Sequence, residues 1–208
     1  MAKKHSSPTV ELVIASTNVH KIREFRAMLK PYSGFDTLSL CDFPSYIPPE
    51  ETGASFEENA KTKAVHAART LGRWVLADDS GLIVPSLNGT PGIFSARYAG
   101  NDATDLDNRK KLLSEMGHLM DEDRHAFYEC WIALASPEGL KKTARGTCEG
   151  TLLMQERGGS GFGYDPLFVK HGYNKSFAEL GDAIKNRVSH RRKALDKILS
   201  ALESLLTS

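Results

Sequence analysis

The sequence predicts an α/β fold in which helices flank a mixed β-sheet. Short apolar runs alternate with amphipathic segments of helical period in the first half of the chain, which is the pattern of strand–helix–strand units. Farther along, two long apolar segments joined at Ser-Pro-Glu-Gly indicate an antiparallel hairpin. Parallel units combined with a late hairpin predict a sheet that is mixed rather than wholly parallel.

Length, composition and charge are those of one globular domain. The chain has 208 residues, of which 40% are apolar and 25% are charged, so it can bury a sizeable core. We expect residues 1–208 to form a single domain, with the basic residues 1–8 as a flexible tail. The net charge of +1 gives no overall field that would favour nucleic acid or an anionic membrane.

Cysteine usage and hydropathy favour a reduced, cytoplasmic protein. Cys41, Cys130 and Cys148 are odd in number and lack the spacing of a zinc site or a disulfide framework. No segment approaches the roughly 18 consecutive apolar residues that a membrane span needs. The apolar run near the start is too short and interrupted for a signal peptide. We therefore expect no membrane and no nucleic-acid partner.

The first half of the chain predicts alternating strands and helices whose ends carry clear signals. Pro31 ends the first helix, because proline has no backbone N–H and clashes with the preceding turn. Ser55 and Glu58 form a capping box at the start of the second helix, and Gly72 ends it. The predicted elements are a strand over 10–16, a helix over 18–30, a strand over 35–40, a helix over 56–71, and strands over 74–77 and 81–87.

The second half predicts a third helix, the hairpin, a glycine-rich loop and a C-terminal helix. Leu106, Leu112 and Met116 recur on one face of the third helix. Ser176 and Glu179 repeat the capping-box pattern. The predicted elements are a helix over 105–120, two strands within 126–150, a loop over 157–166 that enters a short strand, a helical turn over 176–180, and a helix from about residue 189.

The stretch Ala-Ser-Thr-Asn-Val-His-Lys, which joins the first strand to the first helix, is a candidate phosphate cradle. A strand that leads straight into a helix brings backbone N–H groups and the positive helix end together. Ser16, Thr17, Asn18 and Lys21 add side-chain donors. The alternative is an ordinary helix cap followed by a solvated lysine, and the Walker A pattern is absent.

Acidic residues at two places are candidates for a Mg²⁺ site. Glu58 lies in the first turn of the second helix beside Asn59 and Lys63, which suits a metal–phosphate complex as well as a helix cap. Asp78 and Asp79 follow an apolar run, where two unpaired charges would be costly. Since successive strand side chains point to opposite faces, we do not expect the two aspartates to do the same work. The alternative is a turn that an aspartate caps before Ser-Gly.

Two further segments supply groups for a planar or anionic ligand. No helix follows the glycine-rich loop, and this argues against a dinucleotide-binding turn. The loop would instead present Phe162, Tyr164 and Asp165 to a planar ligand. His190 and Arg191 place positive charge at the start of the last helix, where the dipole disfavours it by about 0.3–1 kcal/mol each. The alternatives are a hairpin loop with core aromatics and a solvated basic face.

Together these segments resemble the inosine triphosphate pyrophosphatase family, the noncanonical purine nucleoside triphosphate pyrophosphatases of the Ham type. The resemblance implies an elongated α/β fold with a long mixed sheet, two lobes and a central substrate cleft, usually assembled as a homodimer. It also implies Mg²⁺-dependent hydrolysis of ITP, dITP and XTP to the monophosphate and pyrophosphate. The matching segments are residues 14–25, 51–64, 76–100, 158–168, 177–180 and 189–195.

The resemblance also implies roles for individual residues. Asp79 would accept the proton of the attacking water and, with Glu58, hold Mg²⁺. Phe162 would stack on the base. His20 is a departure, since a glycine is usual before Lys21 in this family. The residues expected to bind substrate are Ser16, Thr17, Asn18, Val19, His20, Lys21, Lys63, Ser80, Phe162, Gly163, Tyr164, Asp165, Lys185, His190 and Arg191.

Two other functions remain open at this point. The chain could be a pyrophosphatase for a different nucleotide, such as a modified pyrimidine. It could also be a nucleotide- or nucleic-acid-binding module without catalysis. The paired aspartates argue against the second alternative, because a protein that only binds polyanions has no need of extra carboxylates.

Overall fold

The fold is built on one six-stranded mixed sheet. The computed structural model describes residues 9–206, and the predicted tail at residues 1–8 lies outside them. The strands are β1 Val10–Ile14, β2 Phe35–Ser39, β3 Trp74–Ile83, β4 His125–Ser136, β5 Gly139–Leu152 and β6 Phe168–Lys170. Their order across the sheet is β2-β1-β3-β4-β5-β6.

The pairing directions confirm the predicted mixed sheet. Strand β1 lies parallel to both β2 and β3. Strands β3, β4, β5 and β6 each run antiparallel to the next. The predicted hairpin is β4–β5, which closes at the Ser136–Gly139 pair. The elongated outline and the two lobes implied by the resemblance stay predictions.

Six α-helices accompany the sheet in the described part of the chain. They are α1 Val19–Leu29, α2 Phe56–Leu71, α3 Asp105–Glu115, α4 Phe177–Leu180, α5 Asp182–Val188 and α6 His190–Leu205. The predicted N-cap and end of α2 are confirmed, because the Ser55 hydroxyl accepts a hydrogen bond from the N–H of Glu58, and Gly72 ends the helix with φ of 65°. The reciprocal half of the predicted capping box is not formed, since the Glu58 carboxylate accepts the N–H of Ala54 instead of that of Ser55. Within residues 9–206, none of the helices has the length and hydropathy that crossing a membrane requires.

Two element predictions and one burial expectation were wrong, and one helix was missed. The strands predicted over 74–77 and 81–87 are replaced by the single strand β3, which pairs continuously with β4 from Val75 to Ile83, and Pro85–Leu87 form a 3-10 turn. Helix α3 ends at Glu115, where a short 3-10 segment takes over. Leu106 on that helix is 44% exposed rather than turned inward. Helix α5 was not predicted, because it has only seven residues and its N-cap residue, Gly181, makes no side-chain cap.

The two faces of the sheet bury different sets of apolar residues, and β3 contributes to both. Leu76 packs in the cluster that includes α1 and α6 residues. Val75 and Ala77 pack in the cluster formed with the alanine-rich face of α2. Because side chains alternate along a strand, Asp78 belongs to the α1–α6 face and Asp79 to the α2 face. This alternation positions the candidate site at the middle of β3.

Candidate active site

A cavity of about 330 Å³ lies where the end of β1, the middle of β3, the glycine-rich loop and the start of α6 come together. Its size is that of a small-molecule site. Most of the residues predicted to bind substrate or metal line it, although Val19, His20 and Glu58 do not. The predicted residues that line the cavity are Ser16, Thr17, Asn18, Lys21, Lys63, Asp79, Ser80, Phe162, Gly163, Tyr164, Asp165, Lys185, His190 and Arg191.

The predicted phosphate cradle forms the start of α1. Asn18 caps the helix, since its Oδ1 accepts hydrogen bonds from the N–H groups of His20 at 3.0 Å and Lys21 at 3.2 Å. Val19 is 59% exposed. The ring of His20 stacks on Phe162, with ring centroids 5.2 Å apart and planes within 15°. Of these residues, Asn18 and Lys21 line the cavity, and His20 lies against the glycine-rich loop.

Asp79 lies on the α2 side of β3, where two donors hold its carboxylate. Lys63 Nζ donates to Asp79 Oδ1 at 3.0 Å, and Asn59 Nδ2 donates to Oδ2 at 3.1 Å. Lys63 also reaches Glu51 Oε1 at 3.3 Å. Burial alone would lower the pKa of Lys63, but the nearby carboxylates of Asp79 and Glu51 outweigh it and raise that pKa. Lys63 therefore stays charged beside Asp79.

Asp78 lies on the opposite side of β3 and is paired with cations. Its Oδ2 accepts hydrogen bonds from Arg191 Nη2 at 2.9 Å, Arg191 Nε at 3.2 Å and Ser80 Oγ at 3.1 Å. Lys21 Nζ lies 3.2 Å from the same oxygen. Burial would raise the pKa of Asp78, but Lys21 and Arg191 hold it well below its usual range. Asp78 is thus a permanent anion that fixes Arg191.

The structure adds a carboxylate that the sequence reasoning missed. Glu24 on α1 is 6% exposed and pairs with both Lys185, at 2.8 Å, and Arg191. Its position carried a signal, because Lys21, Glu24 and Phe25 follow the i, i+3, i+4 spacing of one helix face. A charged residue on the inward face of an amphipathic helix indicates a buried partner.

The base of the glycine-rich loop is tied to Lys185. Lys185 Nζ lies 2.5 Å from Asp165 Oδ2 and 4.3 Å from the centroid of the Phe162 ring. Burial raises the pKa of Asp165, and Lys185 offsets part of that effect. Asp165 Oδ2 also accepts the backbone N–H of Phe162 at 3.0 Å. These contacts hold the Phe162 ring at the cavity wall.

His190 begins α6 and lies flat against Tyr128. Their ring centroids are 4.6 Å apart and their planes lie within 11°. Burial, together with the neighbouring charges of Arg191 and Lys185, holds the pKa of His190 well below its usual range. The imidazole is therefore neutral at physiological pH. Its buried Nδ1 has no hydrogen-bond partner within the described residues.

The formal charges of the cavity wall balance. Five cationic side chains face five carboxylates, so the wall offers no net positive charge to a polyanion. The cations are Lys21, Lys63, Arg97, Lys185 and Arg191, and the carboxylates are Glu51, Asp78, Asp79, Asp105 and Asp165. A phosphate-rich ligand would bring negative charge that this wall does not offset by itself, and an added cation would offset it.

The described residues contain no cluster of three or more His, Cys, Asp or Glu side chains able to hold a metal ion. An all-protein metal cage is therefore not formed by residues 9–206. Mg²⁺ in phosphate-processing sites takes one or two carboxylates and completes its shell with phosphate oxygens and waters. Asp79 and Glu51 in the wall fit that smaller donor set, and Glu58 lies outside the wall, five residues before Lys63 on α2. Glu58 itself accepts the N–H of Ala54 at 2.9 Å.

Fold and site together define an α/β protein with a small-molecule cavity that is lined by paired acids and cations and by the aromatic rings of Phe162 and Tyr164. A family model described as the Ham1 family matches residues 12–201. The chain belongs to the Ham1 family.

Curated relatives match almost end to end. A dITP/XTP pyrophosphatase from Protochlamydia amoebophila is 58% identical over 197 residues, which is 94% of this chain and 99% of the relative. A dITP/XTP pyrophosphatase from Chlamydia abortus is 54% identical over 198 residues, covering 95% of this chain and 96% of that protein.

Solved structures agree with the fold. A HAM1 protein from Coxiella burnetii superposes with a TM-score of 0.84 at 39% identity, covering 94% of this chain and all of that chain. The Ham1 protein of Staphylococcus aureus gives a TM-score of 0.81 at 40% identity, with 93% and 98% coverage.

Proposed function

We propose that this protein hydrolyses the noncanonical purine nucleoside triphosphates ITP, dITP and XTP to the monophosphate and pyrophosphate, and so removes them from the nucleotide pool. The observation that carries the proposal is that residues suited to a phosphate chain and residues suited to a planar base line one cavity. The carboxylate of Asp79 lines the same cavity as the cap of α1 and as Phe162 with its neighbouring cations Lys185 and Arg191. The names of the curated relatives support the same activity.

The triphosphate would lie along the segment from Ser16 to Lys21. The helix N-terminus and the Lys21 ammonium favour negative charge there. Lys63 would neutralise further phosphate charge as it develops on the leaving group. Val19 and His20 would contribute through the backbone of the segment, since their side chains do not line the cavity.

Mg²⁺ is the proposed cofactor, with Asp79 and Glu58 as its protein ligands. The balanced charge of the wall supports this proposal, because a polyanion would otherwise bind without net compensation. When bound, Mg²⁺ neutralises charge on the phosphate oxygens and orients the reacting groups. Glu51 is a further carboxylate within the same wall.

Asp79 is the proposed base for the water that attacks the α-phosphorus. A carboxylate has about four acceptor positions on its two oxygens, and the hydrogen bonds from Lys63 and Asn59 use two of them. Those two donors fix the orientation of the carboxylate while leaving acceptor capacity for water. Such positioned proton acceptors contribute roughly 10²- to 10⁴-fold to a rate.

The base of the substrate would stack on Phe162, within the segment from Phe162 to Asp165. Hypoxanthine and xanthine carry a keto oxygen where adenine carries an amino group. N–H donors of Lys185 and Arg191 therefore suit the former and leave the amino group of adenine unpaired. A site that hydrogen-bonds a group rejects its mismatch more strongly than a site that only fits its shape. His190 and Ser80 would complete the contacts.

A substrate panel tests the proposal. The purified protein with Mg²⁺ is assayed on ITP, XTP, GTP, ATP and dUTP, and pyrophosphate and orthophosphate are measured separately. We expect pyrophosphate from ITP and XTP, with kcat/KM well above that for ATP. A preference for dUTP or ATP, release of orthophosphate, or tight ITP binding without turnover would each contradict the proposal.

We further propose that the protein is a cytoplasmic homodimer, as the resemblance implies, with neither nucleic acid nor a membrane as a partner. A nucleotide-pool enzyme meets its substrate in the cytoplasm. Light scattering coupled to size-exclusion chromatography would give twice the chain mass of 22.9 kDa. The mass of a single chain at micromolar concentration would contradict the dimer.

A further inference from the structure

Glu24 is a buried carboxylate that the proposed reaction does not use. It does not line the substrate cavity, so it has no direct contact with a ligand bound there. It lies instead beside a second cavity of about 220 Å³, and Phe162 lines both cavities. Any role of Glu24 in the reaction must therefore be exerted through its neighbours.

Two buried cations converge on Glu24. Its Oε1 lies 2.8 Å from Lys185 Nζ, and its Oε2 accepts a hydrogen bond from Arg191 Nη1. Lys185 also pairs with Asp165, and Arg191 also pairs with Asp78. Glu24 thus joins two separate ion pairs into one chain of five charges, which runs from the glycine-rich loop to the middle of β3.

The shared carboxylate allows both cations to stay charged at close range. Lys185 and Arg191 are only 2% and 1% exposed, and like charges repel strongly where water is excluded. Burial would raise the pKa of Glu24, but Arg191 and Lys185 outweigh burial and lower it. Removing one member of a buried ion network leaves a partner uncompensated, so the positions of both cations depend on Glu24.

We propose that Glu24 is a positioning residue that sets base specificity by fixing Lys185 and Arg191 beside Phe162. Lys185 Nζ lies 4.3 Å and Arg191 Cζ lies 6.0 Å from the centroid of the Phe162 ring. Both cations therefore lie over the Phe162 ring, on which His20 stacks and on which the base would stack in its place. Held there, they offer donors to a keto oxygen and no acceptor to an amino group. This inference rests on the proposed function.

Glu24→Gln is the primary test, because it removes the charge and keeps the size of the side chain. We expect the KM for ITP to rise about tenfold, which corresponds to the loss of one charge-assisted hydrogen bond. The preference for ITP over ATP in kcat/KM should fall by a similar factor. The kcat for ITP should change by less than about threefold, since Asp79 lies on the other face of β3 and keeps its own partners.

Two further variants separate positioning from folding. Glu24→Asp keeps the charge but shortens the side chain, so we expect a smaller rise in KM and a partial return of selectivity. Glu57→Gln on α2 is the matched control, because within residues 9–206 the one ion pair of Glu57 is with Lys61 on the helix surface. It should leave KM and selectivity unchanged. Thermal unfolding of each variant establishes that it is folded.

A double variant tests whether Glu24 acts through Lys185. In a Lys185→Met background, Glu24→Gln should raise the KM by clearly less than it does in the wild-type protein, because the Glu24–Lys185 pair is already absent and only the Glu24–Arg191 pair remains to be lost. Additive effects would overturn the inference. A folded Glu24→Gln variant with wild-type KM and selectivity would also overturn it. If Glu24→Gln does not fold, the same result in a folded Glu24→Asp variant would overturn it. A loss confined to kcat would overturn it as well. A wild-type protein inactive on ITP would instead reject the proposed function.

Discussion

At the residue scale, Asp78 and Asp79 show how two adjacent residues of one strand can have different roles. The α1–α6 face of β3 surrounds Asp78 with Arg191 and Lys21, and Arg191 is itself buried. The α2 face gives Asp79 one ammonium and one amide, those of Lys63 and Asn59. Asp78 is therefore committed to holding Arg191 in place, whereas Asp79 keeps acceptor capacity at the cavity.

Asp79→Asn tests the assignment of the base. Asparagine has the same shape but does not accept a proton at neutral pH, so kcat for ITP should fall by roughly 10²- to 10⁴-fold. The free energy of unfolding should change far less than in Asp78→Asn, which leaves a buried guanidinium with one carboxylate fewer and should cost about 3 kcal/mol. Steady-state pyrophosphate release and urea unfolding of both variants measure the contrast. Near wild-type turnover in Asp79→Asn would show that another group is the base.

At the element scale, the start of α6 is held against β5 by a glycine. An added Cβ at Gly146 would meet backbone atoms of His190, Lys193 and Ala194, and the carbonyl carbon of Lys193 would be only 3.0 Å away. Backbone cannot move aside as a flexible side chain can. The close approach at Gly146 therefore sets the position of the helix turn that carries His190 and Arg191.

Gly146→Ala should displace that turn and weaken the site without touching any side chain in it. We expect kcat/KM for ITP to fall about tenfold or more, and the free energy of unfolding to fall by about 1–3 kcal/mol, as for other overpacking changes. Gly117→Ala is the matched control, because nothing lies within 4 Å of the added Cβ there. Steady-state kinetics and urea unfolding of both variants measure these two quantities. If the two variants have the same kcat/KM and the same free energy of unfolding, the position of α6 against β5 does not depend on Gly146.

At the scale of the whole molecule, local signals predicted elements well and long-range contacts poorly. The helix caps at Ser55 and Ser176 were correct because a cap depends on residues within one turn. The break expected at Asp78 was wrong, because the charges are satisfied by elements distant in sequence and the strand continues. Glu24 was missed for the same reason, since its partner Arg191 lies 167 residues away. A local pattern can indicate that an inward-facing carboxylate has a buried partner, but it cannot identify a partner so far along the chain.

The buried charges also make the stability of the whole molecule depend on pH. His190 is enclosed by Tyr128, Asp78, Lys185, Arg191 and Lys21, and its pKa is held well below the usual value, by burial first and then by the cations. The unfolded chain therefore binds a proton at His190 below about pH 6.5, while the folded protein does not. Stability from this residue is complete above pH 6.5 and is lost as the pH falls. The depressed carboxyls act in the same direction but at lower pH, around and below their usual values.

We expect the free energy of unfolding to fall by about 1.4 kcal/mol between pH 7.5 and pH 5.5 on account of His190 alone, since one proton contributes at most about 1.36 kcal/mol per pH unit. Urea unfolding at pH 7.5, 6.5 and 5.5, at one fixed protein concentration, measures the loss. His190→Gln removes the titrating group, so its free energy of unfolding, though lower at pH 7.5, should change much less over this range. If that variant loses as much stability as the wild type, the proton binds elsewhere and His190 is not the residue that links folding to mild acid.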